Sequence, residues 1–89
     1  MTTYTLNCRG DRIEVNYYTL NFSGYMIKYF PKHMDYSIGN GCEVYDSDAE
    51  LYVNLDIKDM RRALDYIADI DNCVDERLEK ILTYLDIDH

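Results

Sequence analysis

The sequence DIKDMRRALDYIADIDNCVDERLEKILTYLDID, from residue 56 to residue 88, decides the fold. Its apolar residues recur in two sets, first at Met60, Leu64, Ile67 and Ile70, and then at Val74, Leu78, Ile81 and Leu85. Steps of three and four residues place each set along one stripe of a helix. The other faces carry mostly carboxylates. The stretch therefore predicts two short acidic helices, packed as a hairpin, each with one apolar side for a core.

Polar residues indicate where the two helices begin and end. Asp56 can cap the first helix, because its side chain can accept a hydrogen bond from a free N–H group of the first turn. We expect this helix to end near residues 71–72, where Asn72 can begin the second helix. Asp75 and Glu76 then lie in the second helix's first turn, where the helix dipole favours negative charge.

The first thirty residues predict an antiparallel three-stranded meander. The predicted strands cover residues 3–8, 13–22 and 25–30. Gly10 offers a hairpin turn between the first two strands. The second strand changes phase once, at residues 17–18, as a β-bulge would require. Pro31 ends the third strand, because proline cannot donate to a sheet hydrogen bond.

Residues 31–41 form the longest segment that the sequence predicts to be irregular. A segment of this length in a small domain is either a plain connector or a binding element. As a binding element it would present His33, Met34 and Tyr36 to a partner. The connector is the preferred interpretation.

Residues 42–55 allow two interpretations. The sequence SDAE at residues 47–50 fits a capping box, which favours a helix. The apolar residues of 51–55, by contrast, alternate with polar ones at the period of a strand. We prefer a second hairpin, with strands at 42–45 and 51–55 joined by a tight acidic turn.

Together these elements predict a single α+β domain over residues 1–89. Its antiparallel sheet, made of the meander and the second hairpin, packs against two C-terminal antiparallel helices. The reason is that the apolar stripes of the helices need a cover, and the apolar face of the meander is the available one.

Charge is unevenly distributed along the 89 residues, whose formal net charge is −8. Residues 1–42 hold three acidic and four basic side chains, whereas residues 43–89 hold fourteen acidic and five basic ones. Direct binding of nucleic acid or of an anionic membrane is disfavoured, because both require basic patches. A basic protein or nucleoprotein complex is favoured as partner, with electrostatic attraction to speed the encounter. The alternative is that the charge only keeps the protein in solution.

The three cysteines, Cys8, Cys42 and Cys73, are odd in number and far apart. The chain starts without the basic and apolar regions of a signal peptide, and no stretch is long enough to cross a bilayer. These observations predict reduced thiols in a cytoplasmic protein.

No residue pattern indicates a reaction, a metal or a cofactor. His33 and His89 are the only histidines, and no cysteine pair has the spacing of a metal site. Residues 46–50 begin like a calcium loop, but Leu51 stands where that loop requires glycine. We therefore expect no enzymatic activity and no cofactor.

The acidic helical surface is the predicted binding site. Carboxylates three, four and seven residues apart on a helix can be spaced like the phosphates of a duplex, and could occupy a groove built for nucleic acid. The predicted contact residues are Asp59, Asp65, Asp69, Asp71, Asp75, Glu76, Glu79 and, as an uncharged anchor, Tyr66. The alternative is a helix face that is only solvated.

The acidic helical run at 56–88 and the tyrosine-rich strands at 4–30 resemble, in kind, the small acidic inhibitors encoded by phages, anti-CRISPR proteins among them. That group shares neither a motif nor a fold, so no functional residue is carried over. The resemblance implies a non-enzymatic inhibitor that blocks a nucleic-acid-handling complex by binding its basic surface.

The alternative function is that of a structural or regulatory subunit, such as an antitoxin or an oligomer-forming accessory protein. Such a subunit would bind through its tyrosine-rich sheet or through an exposed strand edge. Its binding would be sensitive to changes at Tyr18 or Tyr29 and would depend only weakly on salt.

Overall fold

A computed structural model of the chain describes residues 2–37, 39–69 and 73–89. Its strands are β1 (Tyr4–Cys8), β2 (Asp11–Val15), β3 (Lys32–Asp35), β4 (Cys42–Tyr45) and β5 (Glu50–Val53). Its helices are α1 (Tyr17–Phe22), α2 (Gly24–Tyr29), α3 (Ile57–Ala68) and α4 (Glu76–Tyr84). The predicted α+β class is confirmed.

The first sheet has the strand order β2-β1-β5 and is mixed, not purely antiparallel as predicted. β1 and β2 form the predicted hairpin, whose turn contains Arg9 and Gly10 at φ 54° and 99°. Glycine suits this turn because it adopts positive φ without a steric penalty. β5 pairs with β1 in parallel, with Leu6 opposite Leu51. The intervening elements carry the chain back to the start of the sheet, which is what a parallel pair requires.

Residues 17–30 form two short helices, so the predicted continuation of the second strand and the predicted third strand are wrong. Two polar side chains cap these helices. The Asn16 side chain accepts a hydrogen bond from the Thr19 N–H group, and Ser23 accepts one from Met26. Capping satisfies N–H groups that the first turn leaves free, and here it overrides the strand preference of the tyrosines.

The second sheet is a two-stranded ribbon of β3 and β4, which pair antiparallel with His33 opposite Val44. β3 lies within residues 31–41, which were predicted to be irregular. The strand interpretation of residues 42–55 is confirmed in position, but the predicted second hairpin is wrong. β4 pairs with β3 and β5 pairs with β1, so the two strands do not pair with each other.

The two predicted C-terminal helices are confirmed as α3 and α4, which contact each other. Asp56 caps α3 through a 2.8 Å hydrogen bond from the Lys58 N–H group to its side chain. α4 begins at Glu76, later than predicted, because Asp75 is its cap and accepts from the Leu78 N–H group at 2.8 Å. The predicted start of this helix at Asn72 lies outside the described residues.

The buried residues form one cluster between the three-stranded sheet and the helices. The last residues of the chain belong to this core, since Leu85 is completely buried and Ile87 nearly so. The tail lies against the junction of α1 and α2. The Gly24 N–H group donates to the Asp86 carbonyl at 3.0 Å, and the Tyr25 N–H group donates to the Leu85 carbonyl at 3.2 Å. Burying such a segment is favourable because its backbone groups find these partners.

Candidate interaction surface

The predicted contact residues do not share one environment. Five of them are exposed: Asp65, Asp69, Asp75, Glu76 and Glu79. The side chain of Asp59 is largely covered, with 15% of its surface accessible. Tyr66 is buried, and Asp71 lies outside the described residues.

Two ion pairs connect the helices and use two of the predicted carboxylates. The Arg77 guanidinium donates to both carboxylate oxygens of Asp59, at 3.0 Å each. Arg62 donates to Asp75 at 2.8 Å. Together with the Leu78 N–H group, Arg62 lowers the pKa of Asp75 below its ordinary value. Since these two carboxylates hold the hairpin together, they are poorly placed to bind a partner.

The outward face of α3 is mixed in charge. Lys58, Arg61 and Asp65 are exposed on it, as the helical period requires for residues spaced by three and four. Two cations therefore lie among the carboxylates that were predicted to form an array on this helix. The bases were visible in the sequence, but their effect on the surface depended on knowing which side of α3 is buried.

Exposed acidic side chains occur in the second half of α3 and in the first turn of α4. We call Asp65, Asp69, Glu76 and Glu79 the acidic end. Lys80 forms an ion pair with Glu76 at 3.7 Å, but both side chains are more than three-quarters exposed. Such a pair contributes about 0.3–0.5 kcal/mol and is easily exchanged for another partner. The acidic end thus has a negative excess near solvent, next to the Arg62–Asp75 pair.

Tyr66 cannot anchor a partner in this structure, because only 4% of it is exposed. Its hydroxyl donates to the Asp88 carbonyl at 3.3 Å, so it fastens the tail to α3. Other tyrosines are accessible: Tyr17, Tyr18, Tyr29, Tyr36 and Tyr52 are each more than half exposed. The alternative hypothesis placed Tyr18 and Tyr29 on a sheet face, whereas they lie on α1 and α2.

A cluster of four aromatic side chains joins β1, α1 and the ribbon. The Tyr45 ring lies 5.9 Å from the Tyr4 ring, 5.7 Å from the Tyr17 ring and 5.8 Å from the Phe30 ring. Lys32 places its ammonium group 5.6 Å from the centre of the Tyr45 ring. A shallow cavity of about 300 Å³ lies beside the cluster. Because its own lysine already occupies the aromatic face, we assign this cluster to the attachment of the ribbon.

Within the described ranges, no three His, Cys, Asp or Glu side chains are grouped so that they could hold a metal ion. All three cysteines are free, and only Cys8 is buried. Burial raises the pKa of the Cys8 thiol, and Asp11 and Asp56 raise it further. A thiol in this state is a weak nucleophile, because the thiolate is the reactive form.

The comparisons with known proteins give no relative from which a function could be transferred. No family model, no curated protein and no solved structure matches the chain. Among the described residues, no helix has both the length and the apolar character needed to cross a membrane.

Proposed function

We propose that the protein is a non-enzymatic binding module that inhibits a basic, nucleic-acid-binding effector by covering the effector's basic surface. In this respect it would act like the phage-encoded inhibitors of host defence complexes, of which anti-CRISPR proteins are examples. It would act in the cytoplasm of the host cell. The presence of three free cysteines supports a reducing compartment.

The observation that carries the proposal is the concentration of exposed carboxylates at the acidic end. Asp65, Glu76 and Glu79 all face solvent there. Negative charge of this kind attracts a basic surface over the distance of a Debye length, about 10 Å at 0.1 M salt, and so increases the rate of encounter. Nucleic acid would be repelled by the same charge and would compete with the protein for the effector.

The mixed charge on the outward face of α3 favours a small contact that covers part of the effector's basic surface. It disfavours mimicry of a phosphate backbone along the whole helix. Lys58 and Arg61 would repel a basic groove that extended along the whole helix. We therefore place the contact at the junction of α3 and α4, where acidic side chains outnumber basic ones.

Capture from an extract of the native host tests the proposal. The immobilised protein is washed at low and then at high salt, and retained proteins are identified by mass spectrometry. We expect a nucleic-acid-binding protein that is released by salt and displaced by added duplex DNA. A partner that resists both treatments would contradict the proposal.

Two matched variants locate the contact. The first, Asp65→Asn with Glu76→Gln and Glu79→Gln, removes three charges from the acidic end. The second, Asp11→Asn with Glu14→Gln and Glu43→Gln, removes three exposed charges from the strands. The first should weaken capture by roughly tenfold or more, and the second should have a much smaller effect. Equal losses of capture in the two variants would mean that only net charge matters. Unchanged capture in both variants would exclude the carboxylates from binding.

A further inference from the structure

The strand edges of the two sheets are protected very differently. At the edge of the three-stranded sheet, the Tyr25 hydroxyl donates to the Tyr52 carbonyl at 3.2 Å. The Asn54 N–H group beside it donates to the Tyr84 hydroxyl at 3.1 Å. Tyrosine hydroxyls therefore occupy backbone groups that an added strand would need. On the opposite edge, β2 exposes three charged side chains, which discourage pairing in another way.

The outer edge of β3 is less protected: among the described residues no tyrosine hydroxyl bonds to its backbone, and Lys32 is its one exposed residue with a full charge. Within the described residues β3 pairs with β4 alone, and Lys32, His33 and Met34 are exposed. The Asp46 N–H group donates to the Pro31 carbonyl at 2.9 Å, which marks Pro31 and Asp46 as a hydrogen-bonded pair. Hydrogen-bonded and non-bonded pairs alternate in an antiparallel ladder. It follows that the backbone groups of Lys32 and Met34 point away from β4, towards solvent.

The sequence of β3 is complementary to itself when two copies pair antiparallel about Met34. In this register Met34 lies opposite Met34 of the other copy, and both residues have outward backbone groups, as pairing requires. His33 lies opposite Asp35 of the other copy, and Asp35 lies opposite its His33. Two apolar side chains thus meet at the centre, and acidic side chains meet imidazoles on either side. An imidazole N–H group can donate to a carboxylate opposite it, whereas like charges directly opposite each other destabilise a pair.

We propose that a second copy of this chain binds at the outer edge of β3 and forms a four-stranded sheet with the order β4-β3-β3-β4. The proposal is independent of the proposed function. The contact is isologous, because the same strand serves on both sides of a two-fold axis. The small extent of the paired strand, four residues, makes the association weak and dependent on concentration.

Local contacts hold the edge in shape before association. A Cβ atom added at Gly41 would lie 2.9 Å from the Tyr36 ring and 3.1 Å from the Met34 methyl group, so both side chains rest on the glycine backbone. The Asp35 carboxylate accepts hydrogen bonds from the N–H and hydroxyl groups of Ser37 at 2.9 Å and 2.6 Å. A preformed edge loses less conformational freedom on binding than a flexible one.

Cysteine cross-linking tests the register. In a background with Cys42→Ser and Cys73→Ser, Met34→Cys places two thiols across the axis, with Cα atoms about 5.5 Å apart, which a disulfide can span. The control His33→Cys lies on the same strand, but its two thiols are offset by two residues, with Cα atoms roughly 8 Å apart, which is too far. We expect Met34→Cys to form covalent dimers several times faster than the control. Equal rates would overturn the proposal.

A charge exchange provides the second test, with sedimentation velocity as the measurement. Asp35→Lys should weaken self-association about tenfold or more, because lysine then faces His33 of the other copy. The double variant His33→Asp with Asp35→Lys should recover most of this loss. Both variants remove the contacts of Asp35 with Ser37. Recovery of self-association in the double variant therefore reports the pairing of residues 33 and 35 across the two copies and not the loss of these contacts. Failure to recover, or a wild-type chain that stays monomeric at every concentration, would overturn the proposal.

Discussion

The three-stranded sheet and the two-stranded ribbon use the same kind of strand for opposite purposes. Every second residue of β1 is buried against the helices, whereas all four residues of β3 are exposed or half-buried. Tyrosine hydroxyls occupy the edge of the sheet at β5, whereas the outer edge of β3 has no strand partner within the described residues. The sheet and its helices form the core of the fold, whereas the ribbon is mostly surface and, in our proposal, contributes the contact between two copies of the chain.

The core beneath the sheet should give the largest effect. Leu82 of α4 is completely buried, so Leu82→Ala removes packed methyl groups and leaves a cavity. We expect a loss of about 2–5 kcal/mol in the free energy of unfolding. Urea denaturation followed by circular dichroism measures this loss. A change below about 0.5 kcal/mol, as at an exposed site, would show that α4 does not pack as described.

The contact of the tail with the helix junction should give the next largest effect. A Cβ atom added at Gly24 would overlap the Asp86 carboxylate and lie 3.0 Å from the Asp86 Cβ atom. Gly24→Ala therefore displaces Asp86 and strains the two tail hydrogen bonds, and we expect a cost of about 1–3 kcal/mol. Thermal unfolding of Gly24→Ala and of the wild type checks the contact, and unchanged stability of the variant would refute it.

The tyrosines at the β5 edge should give a smaller effect, with a characteristic pH dependence. Burial and the Tyr84 hydroxyl raise the pKa of Tyr25 to about 12 from the ordinary value of 10.0. The folded state therefore holds this proton more tightly than the unfolded state. Its stabilising contribution is complete below pH 10.0 and disappears as the pH rises towards about 12.

Tyr25→Phe tests this edge. The variant loses the hydrogen bond to the Tyr52 carbonyl, at a cost of about 1 kcal/mol near neutral pH. It should also lose less stability than the wild type when the pH rises from 10.0 to about 12. Urea denaturation at a series of alkaline pH values makes the measurement. Burial also raises the pKa of Tyr45, so some alkaline dependence persists in the variant. If the free energy of unfolding falls equally steeply with pH in variant and wild type, Tyr25 is excluded as a source of the alkaline dependence.

The ribbon should give the smallest effect on stability. Met34 is 45% exposed, and Met34→Ala is expected to change the free energy of unfolding by at most about 0.5 kcal/mol. The same change should weaken self-association, because Met34 lies at the centre of the proposed pair. Sedimentation velocity and urea denaturation of one sample compare the two quantities. A large loss of stability would place Met34 in the core and remove the contrast between ribbon and sheet.

The sequence predicted the helical hairpin because its signal is local and repeated. Apolar residues recur every three or four positions in α3 and α4, and Asp56 and Asp75 stand where caps are needed. The hairpin of β1 and β2 was also predicted, since alternation and a glycine turn both lie within the segment.

The prediction from sequence was wrong where the period of a strand and the period of a helix are both present. Between residues 17 and 30 the tyrosines alternate like a strand, but the buried residues Leu20, Ser23, Met26 and Phe30 follow steps of three and four. Ser23 is polar, so the helical pattern was hidden, although its hydroxyl caps α2 and donates to the Leu85 carbonyl at 2.5 Å. The pairing of β5 with β1 depends on contacts distant in sequence, which local patterns do not contain.

For the candidate site, the sequence predicted the carboxylates but not which of them face a partner. Asp59 and Asp75 have the same charge as Glu79, and only the packing of α3 against α4 shows that arginines bind the first two. Tyr66 follows the apolar stripe of α3 closely enough to be buried, which a helical wheel centred on Ala63 would have indicated.

Hydrogen exchange of the protein, measured with and without the partner retained in the salt-sensitive capture, tests the central claim most directly. The comparison is made at one protein concentration, so that self-association is the same in both samples. The account predicts that bound partner slows exchange in α4 and in residues 73–75, at the acidic end, and leaves β3 and β4 unchanged. Slower exchange confined to the ribbon would contradict it and would make the ribbon the binding surface.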